Sequence, residues 1–364
     1  MPNLQITVKS TIIASPRVLQ VRGLFDLPAA SSSEVSWQVN LPLQDRSWNI
    51  GLIVGPSGCG KSTVARHLWP EAMFAEPLWP ADRSIVDAFP EGASIKDIVG
   101  LLSSVGFSSP PAWLRPFDVL STGQRFRANL ARMLAECPSL AVMDEYTSVV
   151  DRTVAQIGSH ALAKTVRARG QRFVAITCHE DVEPWLNPDW IYQPATGVFT
   201  WRCLQRRPSI TLDFCRVRRE AWNLFKPHHY LSSSLAPAAV CFGAFWDRRL
   251  VGFSAWLPTL SRSPGRREHR TVVLPDFQGA GIGHALSGFV ASLWKVLGMK
   301  AHSTTTHPGF IAARLRSQDW RLIRAPALAR RHSRVRHAVT RLTAGFEYVG
   351  PDGDLKSARM MLGK

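Results

Sequence analysis

The chain has 364 residues, a formal net charge of +17 and 45% apolar residues. At roughly 100–200 residues per domain this length fits two domains, each with apolar material for its own core. No run approaches the roughly 18 consecutive apolar residues of a membrane-spanning helix, so no membrane partner is expected.

The charge is unevenly placed. Residues 1–200 hold 17 Lys+Arg against 18 Asp+Glu, while residues 201–364 hold 27 against 9. A neutral half thus precedes a strongly basic one, which points to a nucleic-acid partner for the second half, DNA favoured. The opening MPNLQITVKS lacks the charged and apolar regions of a secretory leader. The six cysteines (Cys59, Cys137, Cys178, Cys203, Cys215 and Cys241) form no C-x-x-C pair. Reduced thiols and a cytoplasmic location are expected.

In chain order, residues 1–47 read as short strands at Gln5–Val8, Arg17–Val21 and Val35–Val39, with a Ser-rich connection at Ala29–Ser33. Residues 48–190 alternate apolar runs with helical patterns, as a mostly parallel α/β sheet requires. The runs Ile50–Val54, Leu140–Met143 and Phe173–Thr177 suit buried central strands. Prolines punctuate the next segment, and Gln205–Pro208 marks a boundary between domains 1–204 and 205–364. Beyond it, Val240–Phe245 and Leu250–Trp256 read as a strand pair, His284–Leu297 as an amphipathic helix and Phe346–Val349 as a closing strand of an α+β domain.

Gly55–Ser62 reads GPSGCGKS and matches G-x-x-x-x-G-K-[ST] between the strand Trp48–Val54 and a helix Lys61–Leu68. Backbone N–H groups of Gly55, Ser57, Gly58 and Gly60 converge on phosphate there, with Thr63 on the opening helical turn. Lys61 reaches the β- and γ-phosphates, and Ser62 holds magnesium. Leu140–Glu145, LAVMDE, is an apolar strand ending in two acids. Asp144 is the magnesium ligand and Glu145 the base for the attacking water.

Leu120–Arg125 (LSTGQR), Ser148–Asp151 (SVVD) and His179 complete a set that resembles the signature, D-loop and switch histidine of ATP-binding-cassette ATPases. Thr122 replaces the first glycine of the signature. In that family the signature of one protomer caps the γ-phosphate held by the other. The resemblance therefore implies ATP, Mg2+ and an ATP-dependent homodimer, with Ser121, Gly123, Gln124 and Asp151 at the shared nucleotide. No Gln lies between residues 45 and 123, so the family's Q-loop glutamine is missing, with Asp87 as a candidate replacement. The gap from Thr63 to Leu120 is too short for a long coiled coil, and short for the full helical subdomain that docks transporters on membrane partners. A clamp acting on a soluble target is expected rather than import or export. Phe25 and Trp37 are candidates for stacking on adenine, or core aromatics.

In the second half, Thr271–Gly283 reads TVVLPDFQGAGIG. Gln278–Gly283 resembles the Q/R-x-x-G-x-G/A loop of GNAT acyltransferases, which cradles the pyrophosphate of acetyl-CoA at a helix N-terminus. Gln278, Gly279, Gly281 and Gly283 would then bind acetyl-CoA or another acyl-CoA. The segments Lys226–Ser232 (KPHHYLS) and Thr306–Phe310 (THPGF) add a resemblance to phage Mom-type DNA-modification proteins, which are GNAT-like. His229, Tyr230 and His307 are the acid–base candidates. The Arg/His run Arg324–Arg341 is a candidate phosphate contact or a solvated helix face. The whole arrangement resembles prokaryotic and phage fusions of such an ATPase to an acetyltransferase. It implies modification of a DNA base. The alternatives are an RNA-modifying enzyme, a protein or small-molecule N-acetyltransferase with a regulatory ATPase, and a catalytically silent DNA-binding clamp.

Overall fold

Strands buried on both faces need helices or loops to cover them, and the apolar runs of the first 200 residues are arranged accordingly. In the computed structural model, which describes residues 4–202, 210–229, 234–259, 264–328 and 342–363, β1 (Leu4–Thr11) and β2 (Ser32–Val39) pair antiparallel. The helix α1 (Pro16–Phe25) joins them, so the strand expected at Arg17–Val21 is a helix. Ser15 caps it by accepting from Val18 N, and Pro16 stands at the start, where a missing N–H costs nothing. Next come β3 (Ile50–Val54), α2 (Lys61–Leu68), the edge strand β4 (Met73–Phe74), α3 (Ile95–Ser104), the short α4 (Pro110–Trp113) and α5 (Thr122–Glu136). Then follow β5 (Leu140–Met143), α6 (Arg152–Arg169), β6 (Arg172–Thr177), α7 (Val182–Leu186), β7 (Trp190–Gln193) and β8 (Val198–Trp201). The sheet order is β4-β5-β6-β3-β7-β8, parallel except for the β7–β8 pair. The mostly parallel sheet is thus present, with Ile53, Val64, Val174 and Trp190 in its core.

The remaining elements are β9 (Asp213–Arg216), α8 (Trp222–Phe225), β10 (Val240–Trp246), β11 (Arg249–Pro258), β12 (Gly265–Val273), α9 (Ile282–Val296), β13 (Lys300–Thr305), α10 (Pro308–Arg316), β14 (Trp320–Leu328), β15 (Leu342–Tyr348) and α11 (Leu355–Leu362). Their sheet has the order β14-β15-β13-β12-β11-β10-β9. All neighbours are antiparallel except β12 and β13, which are parallel and pair only over Gly265–Arg267 and Lys300–His302. Both strands continue past this contact without pairing to each other, so they splay.

Two compact units emerge, each discontinuous in sequence. One gathers residues up to 75, residues 137–148 and residues from 166 through β8. The other gathers residues 76–136, residues 149–165 and the C-terminal sheet with its helices. Ile157 of α6 belongs to the same apolar core as Phe253, Leu286 and Phe346. The boundary expected at Gln205–Pro208, Cys203, Tyr230 and residues 329–341 of the Arg/His run lie outside the described residues. Among the described residues no helix is long and apolar enough to cross a membrane, and Cys59, Cys137, Cys178, Cys215 and Cys241 form no disulfide.

Candidate nucleotide site and glycine loop

The first site grows from the end of β3. Gly58 and Gly60 take left-handed φ values of 77° and 94°, which only glycine adopts without strain. At Gly60 space also forbids a side chain, because a Cβ would stand 2.3 Å from the Trp37 ring. Trp37 Nε1 donates to the Cys59 carbonyl at 2.9 Å. Trp37 therefore braces the phosphate loop rather than offering a free face to a base. Phe25, at the end of α1, is 71% exposed and belongs to no core.

Gly60 caps α2 with backbone alone, with no side-chain oxygen on the first-turn N–H groups. That leaves donors and the positive end of the helix dipole facing the loop. Lys61 is buried, and its Nζ donates to the carbonyls of Gly55 and Pro56, each at 2.8 Å. No carboxylate pairs with it among the described residues. A buried cation without a counter-ion is costly, and a bound phosphate relieves that cost. Ser62 Oγ donates to Asp144 Oδ1 at 2.9 Å. Two adjacent oxygens of a magnesium octahedron stand about 3 Å apart for bonds of about 2.1 Å, so this pair fits the ion. Arg66 faces the other Asp144 oxygen at 3.6 Å.

After β5 the chain turns sharply. Glu145 and Thr147 take left-handed φ values of 51° and 68°, a strain typical of functional loops. The turn leaves the Glu145 carboxylate exposed, and Ser148 Oγ donates to its Oε2 at 2.7 Å. His179 lies two residues past β6, with its N–H donating to Thr177 Oγ1 at 3.1 Å. Gly55, Ser57, Gly58, Lys61, Ser62 and Thr63 lie on the first sequence piece of one compact unit, Asp144 and Glu145 on its second and His179 on its third. Together they define a P-loop nucleotide-binding domain.

The signature motif opens α5. Ser121 Oγ accepts from Gln124 N at 3.3 Å, and Gln124 Oε1 accepts from Ser121 N at 3.1 Å, a reciprocal capping box. Asp151 Oδ1 accepts from Thr153 N and Val154 N at the start of α6. Asp87 is exposed and accepts from Ser84 Oγ at 2.6 Å. The sequence reading passed over Glu76, the first polar residue after β4, which accepts from Asn129 Nδ2 at 3.1 Å.

No protein-family model matches the chain. Protein STAR1 of Oryza sativa subsp. japonica is 28% identical over 197 residues, 45% of this chain and 56% of that protein. The cytochrome c biogenesis ATP-binding export protein CcmA of Rhodospirillum rubrum is 27% identical over 36% of this chain and 68% of its own length. The aliphatic sulfonates import ATP-binding protein SsuB 2 of Burkholderia lata is 33% identical over 31% and 50%. The match to STAR1, like that to SsuB 2, spans about half the relative's length. Among solved structures, a bacterial Atm1-family ABC exporter with ATP bound is 19% identical, covering 44% of this chain and 34% of that one at a TM-score of 0.34. A dimeric ATP-binding cassette with ADP and Pi is 15% identical, covering 45% and 89% at 0.35. The named sequence relatives support a P-loop domain of the ATP-binding-cassette type.

The glycine loop of the second half is built differently. Gly281, with φ 83°, caps α9 through backbone alone, and a Cβ there would meet nothing within 4 Å. Gln278 is buried, and both ends of its amide are used. Its Oε1 accepts from Ser108 N at 2.9 Å, and its Nε2 donates to the Val273 carbonyl at 3.0 Å. Gly279 lies against Gly106, where a Cβ would stand 2.8 Å from the Gly106 Cα. Gly283 packs under the Phe310 ring. His307 caps α10, and burial pushes its pKa down while a hydrogen bond to the Ser108 backbone pushes it up. His229 meets the edge of Trp222 at 5.6 Å. The structure therefore brings Gln278, Gly279 and His307 together with residues 106–108, not with His229.

The base of the β12–β13 splay is filled. Arg314, fully buried, donates to Glu268 Oε2 and Ser287 Oγ at 2.8 Å each, and also to Ser303 Oγ. Burial pushes the Glu268 carboxyl up, but the Arg314 guanidinium and the hydroxyls of Ser303 and Thr271 outweigh it and hold the pKa low. Sequence reasoning missed this ion pair, since Glu268 and Arg314 are 46 residues apart.

Proposed function

We propose that the chain is an ATP-hydrolysing ABC-type ATPase coupled to a GNAT-like acyltransferase domain, acting in modification of a DNA base. The observation that carries the ATPase reading is the buried Lys61, without a carboxylate partner, above the Ser62–Asp144 pair. Ser62 and Asp144 would hold magnesium, which offsets charge on the β- and γ-phosphates. Lys61 and the loop N–H groups bind and orient the phosphates. Glu145 takes a proton from a water whose oxygen attacks the γ-phosphorus, and the bond to the β–γ bridging oxygen breaks to leave ADP and phosphate. In a homodimer, Ser121, Gly123 and Gln124 meet the nucleotide of the second copy.

The splayed parallel pair and the uncapped start of α9 support an anionic acyl-CoA ligand in the second unit. The excess of 27 basic over 9 acidic residues supports a nucleic-acid target. A second reading, a catalytically silent DNA-binding clamp, is favoured by the engaged Gln278 amide and the filled base of the splay. One experiment separates them. Nucleosides from cells expressing wild type or Glu145→Gln are compared by mass spectrometry, alongside ATP turnover of both proteins. The enzyme reading expects a mass shift on a nucleoside for wild type only, and turnover lower by about 10²–10⁴-fold in Glu145→Gln. Wild-type turnover with unchanged nucleosides leaves the clamp. Wild-type turnover by Glu145→Gln removes Glu145 from the mechanism.

A further inference from the structure

The signature helix carries a buried cation that the ATPase reading does not use. Arg127 is 1% exposed and lies one helical turn beyond Gly123. Its Nη1 donates to the Pro275 carbonyl at 2.8 Å and its Nη2 to the Asp276 carbonyl at 2.7 Å. A planar guanidinium holding two successive carbonyls fixes both distance and orientation, which a lysine cannot do. Gly123 faces the same place, since a Cβ there would stand 3.3 Å from Asp276 Oδ1. Burial lowers the Arg127 pKa to about 10, against the pull of Asp276 and Asp151, so the side chain stays charged at neutral pH.

A second tie lies beside the first. Ser108 N donates to Gln278 Oε1, and Gly106 and Gly279 meet backbone to backbone, each at positive φ. Helix α3 also packs on α10. The loop from Pro275 to Gly279 is thus held at two points by residues 106–127. Its far end, Gly281, is exposed and starts α9.

We propose that Arg127 is a positioning residue that links closure of the LSTGQ motif on nucleotide to the shape of the Gln278–Gly283 loop and its ligand at α9. This rests on the reading above that the signature meets nucleotide. Helix α5 is one 15-residue element, so a displacement at Gly123 moves Arg127 with it, and the two held carbonyls follow. Linkage makes the effect reciprocal: a ligand at α9 alters nucleotide affinity by the same factor.

Hydrogen exchange of the full chain tests this, in a Glu145→Gln background with and without Mg-ATP. The expected result is slower exchange in peptides covering both 122–134 and 276–284, by about tenfold in the second. Arg127→Lys keeps charge and bulk but loses the fork. It should retain the 122–134 response and lose most of the 276–284 response. Should Arg127→Lys melt early, Gln278→Leu cuts the other tie without touching α5 and should weaken the same response. A response at 122–134 without one at 276–284 overturns the proposal, and so does a full 276–284 response in both variants. No response at 122–134 overturns the nucleotide reading of the signature, and the proposal with it.

Discussion

The molecule holds two glycine loops that open helices, Gly55–Ser62 before α2 and Gln278–Gly283 before α9. Both place a left-handed glycine at the cap, and neither supplies a side-chain capping bond. Their surroundings differ in charge. The first contains a buried lysine and ends beside a hydroxyl–carboxylate pair. The second contains no cation of its own; the neighbouring Arg127 is committed to the Pro275 and Asp276 carbonyls, the Gln278 amide is already engaged, and the Asp276 carboxylate lies near Gly123. A helix dipole amounts to about half a charge at its end and is worth roughly 0.3–1 kcal/mol. The dipole makes a loop anion-tolerant, and a dedicated cation makes it an anion site. By that measure the first loop is the stronger of the two.

The largest expected effect breaks the stronger loop. Lys61→Ala should weaken ATP binding by roughly 2–5 kcal/mol, about 30-fold to several-thousand-fold, measured by calorimetry on the full chain. An unchanged affinity would make the two loops equivalent. Gly281→Glu probes the weaker loop. It puts a side chain at φ 83° and a negative charge at the start of α9, and should reduce acetyl-CoA binding at least about tenfold while leaving ATP binding intact. If wild type binds no acetyl-CoA, the second loop is a structural turn and the contrast becomes absolute. The smallest effect concerns stability of the second unit. Burial, reinforced by Arg270 and Arg267, lowers the His269 pKa from 6.5 to about 4. Its Nε2 accepts from Ala236 N, which requires the neutral ring. An unfolded chain takes up the proton below pH 6.5 and the folded one only near pH 4, so stability falls with acid across that window. Thermal melts between pH 7 and 4 should show this slope, and His269→Gln should flatten it.

Much of the nucleotide site was legible because each part is local. The phosphate loop, its strand and its helix fall where Ile50–Val54, GPSGCGKS and Lys61–Leu68 place them. The apolar residues of Arg17–Val21 mimic a short strand, and only the Ser15–Pro16 start marks the segment as the helix α1. Gln278 is expected to face a ligand and Trp37 to be either an adenine platform or a core aromatic; in the structure each bonds to the protein itself. The partner of Gln278 is 170 residues away, beyond any spacing rule. Arg127 left one faint sign, a cation inside the buried stretch Phe126–Leu130 of α5.

The clamp between Arg127 and Pro275 spans 148 residues. On a ribosome adding about 5–20 residues each second, Arg127 is made roughly 7–30 seconds before its partner loop. During that interval α3 and α6 are already made and cover part of the buried face of α5, but Arg127 has not yet met its two carbonyls. The unit to which α5 belongs cannot be completed in the order of synthesis, and a gene cut near codon 205 would separate α5 permanently from the loop it holds. Expression of either piece alone should depend on chaperones, whereas co-expression of the two pieces should restore solubility to both.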